Sequence, residues 1–381
     1  MVGEVLLARE ENDRLVGGAR RARTWKACDH FAQHFRLPPR PGSSSCGSVA
    51  RPGKWRENRS TAQDSGPRNV VMGAADTKRE AKHLSLGGVR VLTLAVNLPG
   101  PVAASRLGAM GASVVKVEPP GGDPLARMCP GYYEELGAGQ EVARLDLKDQ
   151  KDRDSLDGLL ERMDLLLTAS RPAALGRLGL AWSELHERFP RLCQVAIVGH
   201  PPPDEDAPGH DLTYQARFGT LSPPEVPPVL VADLAGAERA VSAALSLLFA
   251  RERGQGAGYE QVALSDAARS FAGPLRQGLT AHGGVLGGGF AGYGLYRAQK
   301  DYVALAALEK HFWERLLGEF GIEGDDPGDL ERIFETRTAE QWEEWAAERD
   351  LPLAAVKDVE QDENAFSSEQ SSNSTRGEDE T

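Results

Sequence analysis

Two residues of this 381-residue chain combine a reactive type with a suggestive place: His210 in Gly209-His210-Asp211, and Asp233 after Val229-Leu230-Val231-Ala232. Both fall at the starts of candidate helices. A short-chain carboxylate presented at a helix start after an apolar strand can act as a nucleophile or as a base that moves a proton. An imidazole changes charge nearest to neutrality and suits the same work. Each position also has a plain structural reading. Asp233 precedes the alanine-rich amphipathic run Leu234 to Arg253 and by pattern is an N-cap, and a lone histidine near a helix start is often structural.

The elements that must position these two groups follow a repeating pattern. From Leu86, GGVRVLTLA reads as a buried strand, LPGPVAASRLGAMG as a short helix opened by a proline turn, and SVVKVEPP as the next strand, a βαβ beginning that implies a parallel α/β sheet. The alternation continues through ARLDLK, a helix over about Asp152 to Arg162, the strand MDLLLTAS, a helix over Trp182 to Phe189 and the strand LCQVAIVGH. No GxGxxG follows the first strand and no GxxxxGK[ST] occurs, which removes the main support for dinucleotide and P-loop readings. After the Asp233 helix, RERGQGAGYEQVALSD reads as a glycine-rich turn, a strand and a helix. The loop Gly283 to Gly292 is either a flexible connector or, if it faces His210 and Asp233, a lid. Then come a hairpin (YGLYRAQKDYVALAAL), the helices KHFWERLLGEF and TAEQWEEWAAERD and a short strand in LPLAAVKDV, which together suggest a smaller α+β unit.

The chain therefore divides into residues 1–83, a polar, turn-rich extension expected to be disordered or non-homologous; 84–282, a large α/β domain carrying His210 and Asp233; 283–360, a small α+β domain with the glycine-rich loop; and 361–381, an acidic, serine-rich tail expected to be disordered. Acidic residues near the start (Glu4, Glu10, Glu11, Asp13) weaken a presequence reading of the extension, and a misplaced start is the simpler expectation. The formal net charge of -12, with the basic residues concentrated before residue 84, argues against a nucleic-acid face on the folded part. Cys28, Cys46, Cys129 and Cys193 lack the spacing of a zinc site or disulfide framework, so no metal is expected and a reducing, cytoplasmic compartment is the default. No apolar run reaches the length of a membrane span, so no membrane partner is expected.

Several segments in order resemble the family III CoA transferases (CaiB/BaiF type), and within them most closely the α-methylacyl-CoA racemase branch: GGVRVLTLA with LPGP, GASVVKVEPPGGD, LDLK, LLLTASRPAALGRLGL, GHDLTYQA, ADLAGAERAVSAALSLLFARERGQGAGY and YGLYRAQKDYVALAALEKHFW. The match runs from Leu86 to about Asp362. The resemblance implies a Rossmann-like large domain plus a smaller one, an interlocked homodimer, and a coenzyme A thioester as substrate with no permanently bound cofactor. It implies that Asp233 either attacks acyl-CoA and carries an aspartyl-CoA thioester on the way to an acceptor carboxylic acid, or pairs with His210 across the substrate α-carbon, epimerising a 2-methyl-branched acyl-CoA. Tyr214 and Glu309 match family positions near the histidine, with Glu309 as its carboxylate partner. Read alone, Tyr214 is equally a core residue and Glu309 equally a surface acid at a helix start. The resemblance also places Arg127, Lys148 and Arg171 near the CoA phosphates, where charge-assisted contacts suit them. Two departures stand out. GQEVAR replaces a basic stretch before LDLK, setting Glu141 where a phosphate is expected, and after VKDVEQDE the chain turns polar where the family returns to the first domain. A final segment supplied by another chain, or lost, is the corresponding expectation, and with it a CoA-binding paralogue without turnover.

Overall fold

The computed structural model describes residues 84–357. The expected extension (1–83) and tail (361–381) lie outside the described residues.

The strands β1 (Arg90–Thr93), β2 (Ser113–Glu118), β3 (Glu141–Arg144), β4 (Leu165–Thr168), β5 (Cys193–Val198) and β6 (Tyr259–Ala263) form one sheet in the order β3-β2-β1-β4-β5-β6. Every neighbouring pair is parallel, in the register Val91↔Val114 on one side of β1 and Val91↔Leu165 on the other. This is the doubly wound order whose strand direction of travel reverses between β1 and β4, and ligands of such sheets sit at the carboxyl ends of the strands beside that reversal.

Period-two alternation decides which side chains meet which helices. Val91, Leu165, Leu167, Val195 and Ile197 point to the face covered by the helices Pro99–Ala109, Val231–Ala250 and Leu264–Phe271. Leu92 and Leu166 point the other way, into a core with Leu156, Leu160, Leu175 and Leu185 from the helices Gln150–Leu160, Pro172–Arg177 and Trp182–Arg188. Both faces are covered, so β4 and β5 are buried along their whole length and read as unbroken apolar runs. The helix Val231–Ala250 packs its small residues Ala232, Ala235, Gly236, Ala237, Ala240 and Ala244 inward. A Cβ at Gly236 would lie 2.2 Å from Leu264 Cδ2, so the glycine leaves the space that the Leu264 side chain fills.

A second sheet is antiparallel, with β7 (Tyr293–Arg297), β8 (Tyr302–Ala306) and β9 (Leu353–Ala355) in that order. The helices Lys310–Phe320, Pro327–Phe334 and Ala339–Ala347 accompany it, and Tyr296, Val303, Leu305, Trp313, Leu316, Phe334 and Trp342 build its separate core. The α/β sheet, the hairpin and the two helices read from sequence are present. Strand β3 covers Glu141–Arg144 and stops before the LDLK segment, and the helices Pro130–Gly137, Pro172–Arg177 and Pro327–Phe334 were not expected.

Candidate active site

A cavity of about 250 Å³ opens at the carboxyl ends of β1, β4 and β5, beside the reversal point. His210, Tyr214 and Asp233 line it together with Val96 and Asn97 after β1, Ser170 and Arg171 after β4, and Gly199, Glu205 and Gly209 after β5. An adjoining cavity of about 260 Å³ at the ends of β1 to β4 shares Val96 and Ser170 with the first and is lined by Pro119, Leu145 and Lys148.

Asp233 is not the N-cap its pattern suggests, and no strand precedes it. Val229 and Leu230 are exposed loop, the helix begins at Val231 with Leu230 as N-cap, and no side chain of that residue caps it. Asp233 sits inside the first turn, and the capping carboxylate comes from elsewhere. Asp211, 3% exposed, accepts hydrogen bonds on Oδ1 from the backbone N–H of Ala232 (2.6 Å) and of Asp233 (3.1 Å), and on Oδ2 from Gln215 Nε2 (2.6 Å). A neighbouring helix thus satisfies the orphan donors that Asp233 would otherwise have to satisfy. The Asp233 carboxyl is left facing the cavity, half-buried beside a second carboxylate. Burial first, and then the Asp211 charge, push its pKa from 3.8 up to about 6, against the opposing pull of His210.

His210 is the N-cap of the helix Asp211–Phe218, as its sequence position suggests, in a capping box with Thr213. The Thr213 hydroxyl closes the turn, donating to His210 O (2.7 Å) and accepting from His210 N (3.1 Å). Tyr214, one turn on, is 1% exposed and belongs to the core while its ring walls the cavity. Burial, then Asp233 and Asp211, raise its pKa. The ring fits because its neighbours are glycines. A Cβ at Gly209 would meet Tyr214 Cε1 at 2.5 Å, and one at Gly199 would meet its hydroxyl at 2.6 Å.

Next to the second cavity, which Glu118 lines, is a buried ionic cluster that sequence reading did not single out. Lys116 Nζ lies 2.6 Å from Asp123 Oδ2 and 3.1 Å from Glu118 Oε1, and all three side chains are within 4% of full burial. Tyr133 donates to Glu118 Oε1 (2.8 Å). The other oxygen of Asp123 accepts from the backbone N–H of Asn97 (3.0 Å) and of Leu125 (2.9 Å), which holds Asn97 in its left-handed conformation (φ 70°) at the cavity wall. The signal lay in KVEPPGGD, whose alternating charges fall at the end of an otherwise apolar strand.

The remaining expected site residues separate. Arg171 lines the first cavity and Lys148 the second. Arg127 lines neither and donates to Gly121 O (3.1 Å). Glu309 is the N-cap of the helix Lys310–Phe320, outside both cavities. Glu141 opens β3 and pairs with Val115, three residues short of the carboxyl edge at Arg144, which puts it about 10 Å from the cavity end of the sheet; it lines neither cavity. Residues Gly283–Gly289 are not a slack connector. Gly283 N bonds Gly287 O (2.9 Å), Gly289 N bonds Gly284 O (2.8 Å), and a Cβ at Gly287 would sit 1.9 Å from Ala281 O, so the loop is wound on itself in a form only glycine permits. It lines neither cavity within the chain. Among the described residues, no cluster of His, Cys, Asp or Glu could hold a metal, and no helix is long and apolar enough to cross a membrane.

Fold and site define a doubly wound α/β protein with a His and an Asp lining one cavity at the strand reversal. The chain belongs to CoA-transferase family III, whose signature matches residues 86–379, past the Asp362 where the resemblance in the sequence was expected to end. Among its relatives, a cinnamoyl-CoA:phenyllactate CoA-transferase of Clostridium sporogenes is 27% identical over 74% of this chain and 81% of its own. A subunit of the succinyl-CoA:(R)-benzylsuccinate CoA-transferase of Thauera aromatica is 29% identical over 59% of this chain, which spans 61% of that relative's length. In fold, the chain is similar to a Mycobacterium tuberculosis protein of known crystal structure, with TM-score 0.64 and 24% identity over 74% of this chain and 89% of the other.

Proposed function

We propose that this chain acts on the α-carbon of an acyl-CoA, with Asp233 and His210 as the paired acid and base of an α-epimerisation. The observation that carries the reading is that both groups line one cavity, with the Asp233 helix capped by Asp211 rather than by Asp233 itself. One group must be protonated while the other is not. A carboxyl raised to about 6 can both hold and release a proton close to neutral pH, as a group that takes a proton on one face and returns it on the other must. Lys148 and Arg171, in the two joined cavities, are the cations for the CoA phosphates, and Arg127 is set apart from them. In this reading residues 84–282 bind the thioester, residues 283–360 form the smaller domain, and Glu309 orients His210 from a second copy of the chain, because within one chain it lies outside the cavity.

The second reading is CoA transfer, favoured by the activities named for the relatives. Asp233 attacks the thioester carbonyl and CoA thiolate leaves. The thiolate then attacks the aspartyl carbonyl of the resulting anhydride and releases the first acid, and the acceptor acid takes CoA by the same steps reversed. Transfer needs an ionised Asp233, whereas epimerisation uses it ionised in one direction and protonated in the other. Incubation with a panel of acyl-CoAs in deuterium oxide, with mass spectrometry and hydroxylamine trapping, separates them, with Asp233→Ala as control. Deuterium at the α-carbon without an adduct supports epimerisation. An adduct on Asp233 supports transfer and refutes epimerisation, and CoA binding with neither signal leaves a binding protein without turnover.

A further inference from the structure

Resting on the acyl-CoA reading, we propose that Glu205 sets the acyl specificity of the cavity by excluding acyl groups that carry a distal carboxylate, so that the chain takes thioesters of uncharged acids. Glu205 lies in the loop after β5 and lines the cavity that contains Asp233 and His210. Its Oε2 is buried with no hydrogen-bond donor, and no described cation forms an ion pair with it. Its negative field reaches Tyr259 at the start of β6, whose pKa it helps to raise after burial. The residue is held in place from both sides. The next residue, Asp206, accepts from Ala173 N (3.3 Å) at the start of the helix Pro172–Arg177, and turns close Asp204 N on Pro201 O (3.0 Å) and Ala207 N on Asp204 O (2.9 Å).

A carboxylate so placed is an uncompensated charge in the cavity wall, and the cavity already holds Asp233. A second anion at the far end of an acyl chain would meet both. The cation in the same lining, Arg171, is exposed and follows β4 at Ser170, the residue shared with the Lys148 cavity. Glu205 stands on the same post-β5 loop as His210, and no ion pair joins it to Arg171. Two like charges several ångströms apart in such a partly buried site repel strongly enough to change binding by about tenfold or more.

The test is binding of butyryl-CoA and succinyl-CoA, equal in chain length and differing in the terminal carboxylate, to the full chain by calorimetry. Free CoA serves as a third ligand that lacks the acyl group. Wild type is expected to bind butyryl-CoA at least about tenfold tighter than succinyl-CoA. Glu205→Gln, which keeps the shape and removes the charge, is expected to bring the two within about threefold while leaving CoA affinity unchanged, and Glu205→Asp is expected to retain discrimination. Equal binding of both thioesters by wild type, or an unchanged ratio in Glu205→Gln, overturns the assignment of Glu205 alone. Failure of all three ligands to bind overturns the acyl-CoA reading and this inference with it.

Discussion

Replacing Asp233 with Asn is expected to make the protein more stable while abolishing its chemistry. The carboxyl is pulled from 3.8 to about 6, chiefly by burial and then by Asp211, so folding disfavours its charge. The native state binds more protons than the unfolded state between those values, and stability therefore falls as pH rises from about 4 to about 6 and levels off above. At 1.36 kcal/mol per unit, the full effect is at most about 3 kcal/mol, with roughly half of it developed at pH 5. Partial solvent access at the cavity lowers it. Asn fills the same space, cannot ionise and removes the repulsion from Asp211. Urea unfolding of both proteins at pH 5, 6 and 7.5 measures the difference directly. The Asn variant should gain stability relative to wild type as pH rises and hold its gain above pH 6.5. A variant less stable than wild type at pH 7.5, or a difference that does not change with pH, would refute the account of Asp233 as a buried carboxyl freed from capping.

The cap supplied by Asp211 leads to a kinetic expectation: Asp211→Asn removes the second cause of the raised Asp233 pKa, so the acid limb of the pH profile for α-proton exchange or transfer should move to lower pH, which rate measurements from pH 4.5 to 8 would show. Lys116→Met strands the carboxylates of Glu118 and Asp123 in a site closed to water, and a loss of about 3 to 5 kcal/mol is expected by chemical denaturation. Gly209→Ala drives a methyl to within 2.7 Å of three Tyr214 atoms. It should cost about 1 to 3 kcal/mol, read as a lower thermal midpoint, and should displace His210 enough to reduce turnover.

The alternation of apolar strands with helices determined the parallel sheet, because strands covered on both faces must be apolar throughout, as β4 and β5 are. Local sequence likewise marked His210 and Asp233, since short polar side chains at helix starts are visible one position at a time. What it could not give was the use of Asp233. Capping is local only when the helix supplies its own cap, and here the cap crosses from Asp211 on another helix, a contact between residues far apart in the chain. The winding of the glycine loop, the Asp123 bond that fixes Asn97, and the place of Glu205 in the cavity wall depend in the same way on contacts between segments. Lys148, Arg127 and Glu309 were equally legible as charges, yet only the first lines a cavity in this chain. Sequence fixes which groups can ionise and which segments must be buried. The tertiary structure decides which of those groups are left without a partner, because hydrogen bonding and desolvation are settled by neighbours that distant parts of the chain bring together.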